Sequence, residues 1–150
     1  MTNNVSNVAG EFLVLQLGNG ATPEVFTATA TINTTRTLDM TAIASVTELA
    51  DTVSPSNPAI TYRQIKSYDL KFSGSGIADA PSILAIMQWL QSGAQKNAKV
   101  IQNRTGAQGG FTVAVPLVIT SFQLAGVRGD MQTFTATFEA AGAFTITANA

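Results

Sequence analysis

An alternation of period two constrains this chain more than any other feature of its sequence. Phe26, Ala28, Ala30 and Ile32 alternate with Thr27, Thr29 and Thr31, and Phe134, Ala136 and Phe138 alternate with Thr133, Thr135 and Thr137. Tyr68, Leu70 and Phe72 alternate with Ser67, Asp69 and Lys71, and Phe144 and Ile146 alternate with Thr145 and Thr147. Successive side chains of a strand point to opposite faces, so these segments predict half-buried antiparallel strands, with Tyr68 in a buried row. Threonine suits the outer face because its branched Cβ packs on a pleated surface. Further strands are expected over 11–17 and 111–124, with Pro116 at a bulge or an edge because it has no N–H for a ladder. Gly18-Asn19-Gly20 reads as a turn, and Gly126–Asp130 as the turn of a closing hairpin.

One stretch departs from this rhythm. Asp79 offers a capping oxygen, Pro81 suits a first helical turn and Gly93 a C-terminal stop. Between them Ile83, Ile86, Met87 and Leu90 form a stripe at helical spacing, flanked by Leu84 and Trp89, which predicts one α-helix over about residues 80–92. Residues 1–10 are Asn-rich and read as an N-terminal arm, leaving 11–150 as a single β domain. Residues 41–62 carry Ser54-Pro55-Ser56-Asn57-Pro58 and read as a long loop. Loops beyond about 12–15 residues are uncommon in compact domains unless functional or disordered. Ile43, Val46, Leu49, Val53 and Ile60 make this one too apolar for a linker, so it packs either on its own domain or on another subunit.

Composition narrows the chemistry. The 150 residues include no Cys and no His, which removes disulfides, thiolate metal sites and the commonest general base and metal ligand. Charged residues are 11% of the chain, less than half the usual quarter, and the net charge of -1 argues against a protein held to nucleic acid by basic residues. Such a surface is suited to burial against partners. Gly74-Ser75-Gly76 lacks both the third glycine of a dinucleotide fingerprint and the His of a nucleophile elbow. Glu48 and Asp51 would share a face only on a helix, and read as a solvated or capping pair. Lys96, Lys99 and Arg104 read as solvent-facing or paired with a neighbour's carboxylates. Asn-x-Ser/Thr triplets at Asn4, Asn33 and Asn103 are expected by chance in so Thr-rich a chain. No catalytic residue, metal site or cofactor is expected, and no segment reads as a targeting signal or membrane span.

The order strand, Ser73-Gly74-Ser75-Gly76 turn, helix, strands, then Leu124-Ala125-Gly126, Gly129-Asp130, Thr133-Phe134 and Glu139-Ala140-Ala141-Gly142 resembles the major tail tube proteins of long-tailed phages and gene transfer agents. Asp39-Met40-Thr41 is similar to the "D-x-T" stretch that precedes a long loop in that family. The likeness runs from about Glu11 to Ile146, with an apolar, Thr-rich central loop where family members often carry Trp. The resemblance implies an antiparallel β-sandwich or barrel with one flanking helix, similar to the type VI secretion tube protein. It implies a non-enzymatic structural subunit of a virion tail, made in the bacterial host cytoplasm. Such subunits form hexameric rings that stack into a hollow tube conducting DNA into the host cell. Expected partners are copies of the chain and the tape-measure, terminator and baseplate proteins, with DNA passing through the lumen without specific binding and no membrane anchoring. Inter-subunit contacts are expected at Thr41, Ile43, Val46, Leu49 and Ile60, with Asp39 holding the loop base.

The competing expectation is a monomeric β-sandwich binding module, carbohydrate-binding or adhesin-like. It would need an exposed aromatic platform, for which the chain offers Trp89, Tyr62 and Tyr68. An enzyme would need an unusual Ser–Lys or carboxylate mechanism, which no spacing supports.

Overall fold

The alternating segments become strands of one antiparallel sheet. A computed structural model describes residues 8–28, 32 and 34–150. Its strands are β1 (Leu13–Gly18), β2 (Phe26–Ala28), β3 (Thr35–Leu49), β4 (Ile60–Ile77), β5 (Lys96–Gln102), β6 (Phe111–Ala125), β7 (Thr133–Ala140) and β8 (Thr145–Ala148), with α1 (Ala80–Ser92) between β4 and β5. They lie in the order β2-β1-β5-β6-β7-β4-β3, with β8 beside β6. The expected antiparallel β fold with one flanking helix is borne out, as an unclosed sheet. Arg36 of β3 ties that edge to the segment ahead of β1: its Nε donates to the Ile32 carbonyl (3.2 Å) and its Nη1 to the Gly10 carbonyl (3.3 Å).

Strand β6 belongs to both halves of the sheet. Its first part pairs with β5 on one side and β8 on the other, and its second part pairs with β7. Pro116 sits at the changeover. Its carbonyl accepts from the Ala141 N–H (2.8 Å), so the side of the residue that lacks an N–H faces the gap where β7 has ended and β8 has not begun. Gly142 fits that gap: a Cβ there would lie 3.1 Å from the proline ring.

The register explains the core. Leu38, Phe72, Phe138 and Ile119 form one row across β3, β4, β7 and β6. Leu15, Val100 and Val113 form another across β1, β5 and β6, and Phe72, Phe138, Val100 and Val113 are among the most deeply buried side chains. α1 lies over these rows. Asp79 Oδ2 accepts from the Ser82 N–H (3.3 Å) and hydroxyl (2.8 Å), Pro81 lies in the first turn, and Gly93 ends the helix at φ 66°. Trp89 stacks on Phe138 with centroids 5.5 Å apart, and its indole N–H donates to the Ala94 carbonyl (2.7 Å).

The structure corrects four expectations. The buried helical stripe is Ile83, Ile86 and Trp89, because the indole docks on Phe138; Leu84, Met87 and Leu90 face outward. Ser73–Gly76 continues β4 and is not a turn. Its glycines lie on the inner face, where a Cβ on Gly74 would come 2.5 Å from Ile32 Cγ2. Residues 41–62 are mostly strand: β3 and β4 pair from Leu49↔Ile60 inward, across a bulge beside Ile43/Ala44, and the connection spans only 50–59. Tyr68 shares the inner face yet is 69% exposed, because the core ends at Leu70. The alternation expected over 26–32 is strand at Phe26–Ala28, while residues 29–31, Asn4, Asn33 and 1–7 of the expected arm lie outside the described residues.

Because Phe138 joins the sheet to α1, Phe138→Ala is expected to cost about 3–5 kcal/mol of unfolding free energy, the range for emptying a buried aromatic site. Urea denaturation of the two proteins measures it.

Candidate assembly surfaces

The β3–β4 hairpin extends well past the rest of the sheet, since β7 pairs with β4 only over Lys71–Ile77. Roughly ten residues per strand at about 3.3 Å each make an arm of about 33 Å. All six residues expected to make contacts lie on β3 or β4, and all are exposed. Asp39, Thr41, Ile43 and Leu49 of β3 share the outer face with Ile60, the partner of Leu49; Val46, opposite Arg63, is on the inner face. Asp39 stands opposite Lys71, whose ammonium is 3.8 Å from Glu139 Oε1.

The inner face of the arm continues the core rows into solvent as Met40, Val46, Ile65 and Tyr68, of which only Val46 is expected from sequence to make contacts. The alternation through Leu70 and Phe72 is the signal that leads to Tyr68; the bulge, with Lys66 as the extra residue, hides Ile65. The outward ridge of Leu84, Met87 and Leu90 on α1 is a second exposed apolar surface.

The outer face of the four-stranded part has a different chemistry. Thr37, Ser73, Thr137 and Ser121 form one cross-strand row, and Thr35, Ser75, Thr135 and Gln123 the next. A third row holds Asp39, Lys71, Glu139 and Val118. Two backbone edges of this part are unpaired among the described residues: the outer edge of β3, and β6 beyond Leu117 on the side that faced β5.

Clefts offer little chemistry. A groove of about 310 Å³ between α1 and β1–β2 contains one titratable group, Lys96, which sits 5.2 Å over the Trp89 ring. Lys99 lies 4.3 Å over Phe26, so both lysines of the basic group meet aromatic rings within the chain. Among the described residues no group of carboxylates could hold a metal ion, and no helix is long and apolar enough to cross a membrane. Trp89 is buried, and Tyr62 and Tyr68 lie on opposite faces of the arm, so these aromatics form no shared platform.

Residues 7–146 match the family model for the phage tail tube protein. The chain belongs to the phage tail tube protein family. No curated protein matches it by sequence. Among solved structures, the tail tube subunit is similar to the tail of an empty gene transfer agent particle, computed with C6 symmetry. The TM-score is 0.69 at 21% identity, over 95% of this chain and 100% of that one. It is also similar to a chain of the native gene transfer agent virion (TM-score 0.67, 20% identity, 95% and 100% covered). The SPP1 tail tube follows at TM-score 0.59 and 12% identity, with 95% and 80% covered. The expectation of a tail tube structural subunit is thus borne out.

The tip of the tail tube subunit's arm is held by Asp51. Its Oδ1 accepts from the N–H groups of Val53 (2.9 Å) and Ser54 (3.0 Å), and its Oδ2 from the Asn57 side-chain amide (3.1 Å). The Ser54 N–H, the Asn57 amide and the Val53 N–H together hold the Asp51 carboxyl below its usual range, and the ordered tip presents Val53 at 90% exposure. A depressed carboxyl pKa stabilises the tip above the pKa of the unfolded chain, and the effect is lost as pH falls through the folded value. The Val53 and Ser54 amide NMR signals are therefore expected to titrate with a midpoint below the ordinary aspartate value of about 3.9, and Asp51→Asn is expected to abolish that titration.

Proposed function

We propose that copies of this chain pair edge to edge into a hexameric ring, and that rings stack through the β3–β4 arm into a hollow tube that conducts DNA. The observation that carries the reading is the pair of free edges. Four antiparallel strands, β6-β7-β4-β3, place β6 and β3 at opposite sides running in opposite directions. Rotation about a ring axis then brings β3 of one copy antiparallel to β6 of the next, and closure pairs these two edges. Six is the number supported by the C6 symmetry of the similar gene transfer agent tail. Six copies at about 4.8 Å between strands give a circumference of about 115 Å and a diameter near 37 Å, wider if the strands tilt.

Stacking is a head-to-tail contact that does not close, so it yields a filament. The arm supplies it with apolar side chains on both faces: Ile43, Leu49 and Ile60 on one, Met40, Val46, Ile65 and Tyr68 on the other. Asp39 and Thr41 lie at its base. The chain acts by assembly and not by catalysis, as part of a tail particle made in a bacterial host, where other tail proteins cap or fill the tube.

Excising residues 45–64 and closing Ala44 to Ile65 with Asn-Gly is expected to leave a folded protein with unchanged near-ultraviolet circular dichroism that forms no tubes in negative-stain electron microscopy. Tubes of normal length from this variant would refute the role of the arm.

A further inference from the structure

We propose that Asn19-Gly20 is a site at which the chain modifies itself. The Gly20 nitrogen attacks the Asn19 side-chain amide with Glu24 as the base, and the ring that forms opens in water to aspartate or isoaspartate. The site is independent of the ring reading. The turn between β1 and β2 holds the chain's one Asn-Gly pair. A glycine after asparagine leaves the attacking nitrogen unscreened by a Cβ, and the attack closes a five-membered ring between groups already in covalent reach. Unaided, the step is slow: an amide nitrogen holds its proton tightly, and an amide carbon is a poor electrophile.

Both deficits are met here. The Gly20 N–H donates to Glu24 Oε1 (3.1 Å), within the reach of a general base on the proton it removes. Asn19 Oδ1 accepts from the Ala21 N–H (2.9 Å) and the Val25 N–H (3.1 Å). Two backbone donors are thus aimed at the oxygen on which negative charge builds as the nitrogen attacks. The Asn19 N–H donates to the Val25 carbonyl (3.1 Å) and closes the turn. Glu24 Oε2 accepts from the Asn97 side-chain amide of β5 (2.9 Å), and Gly18 makes room for the carboxylate, since a Cβ there would collide with Oε1.

The bond from the Gly20 nitrogen to Asn19 Cγ forms as the Gly20 proton passes to Glu24. The Cγ–Nδ2 bond breaks as Glu24 returns that proton to the leaving nitrogen, and ammonia departs. One water then adds to either carbonyl of the succinimide; Asn19 and Gly20 are exposed to it. Opening at one carbonyl gives aspartate, and at the other isoaspartate, whose backbone runs through the former side chain. Either product places a new carboxylate in a cleft that also holds Lys96.

Peptide mapping by mass spectrometry of the purified chain, held at neutral pH, reads the reaction. Residue 19 is expected to gain about 1 Da, as the amide nitrogen is replaced by oxygen, and about 3 Da in heavy-oxygen water. The folded chain is expected to react about tenfold faster than the same chain unfolded in urea, because only the fold brings base and donors to the pair. Glu24→Gln is expected to slow the folded chain about 100-fold. Its remaining rate should rise about tenfold per pH unit, as hydroxide becomes the base, while the rate of the unsubstituted chain stays flat across neutral pH. A folded chain that reacts no faster than the unfolded one would show that the turn protects the pair. A Glu24→Gln rate equal to the unsubstituted one would remove the carboxylate from the reaction. Either overturns the proposal, and the urea comparison tests it whatever the substitution does to folding.

Discussion

The whole molecule depends on one demand placed on a few strands, that each serve a dry face and a wet face at once. β7 meets it most stringently. It is hydrogen-bonded on both sides, to β4 and β6, and buries Phe134, Ala136 and Phe138 while turning Thr133, Thr135 and Thr137 outward. The inward residues provide the floor on which Trp89 anchors α1. The outward residues align with Ser73, Ser75 and Ser121. A register slip of one residue would exchange the two faces, so the core and the outer surface are specified together.

Separate features handle the places where a sheet is vulnerable. Pro116 and Gly142 let β6 change partners without leaving a donor unpaired at the gap. The bulge in the β3–β4 pairing, with Lys66 as the extra residue, keeps the inner face apolar from Phe72 to Ile65 while the strand leaves the core. The Asp51 carboxylate orders the ten-residue connection together with a turn in which the Asn57 N–H donates to the Ser54 carbonyl (3.0 Å). Each feature is local.

The elements most legible in sequence were those that obey a single local rule. Asp79, Pro81 and Gly93 marked the helix because caps act within one turn, and Phe134–Phe138 marked β7 because strict alternation has one reading. The arm was hidden. Ser54-Pro55-Ser56-Asn57-Pro58 announced a loop, and its flanks lack a polar face and an apolar face in the usual sense, since neither is buried within the subunit. The helical stripe was misplaced by the pull of Trp89 toward Phe138, a tertiary contact that spacing does not carry. Of the six residues expected at contacts, Ile43, Val46, Leu49 and Ile60 stand out by apolarity in a supposed loop, and Asp39 and Thr41 by the resemblance to a family motif. Their division between two faces, and the rows of hydroxyls, depend on cross-strand register, which no single strand's sequence contains.

The continuity of β4 has a mechanical consequence. From Ile60 at the end of the arm to Ile77 beside α1 it is one strand, interrupted between tip and body only by the bulge at Lys66. A pull applied to the tip runs along the strand axis and passes to β7 across the positions Lys71 to Ile77. Hydrogen bonds loaded this way are sheared together and not peeled one after another. Force reaching one subunit is thus shared across the width of its sheet before any single bond yields.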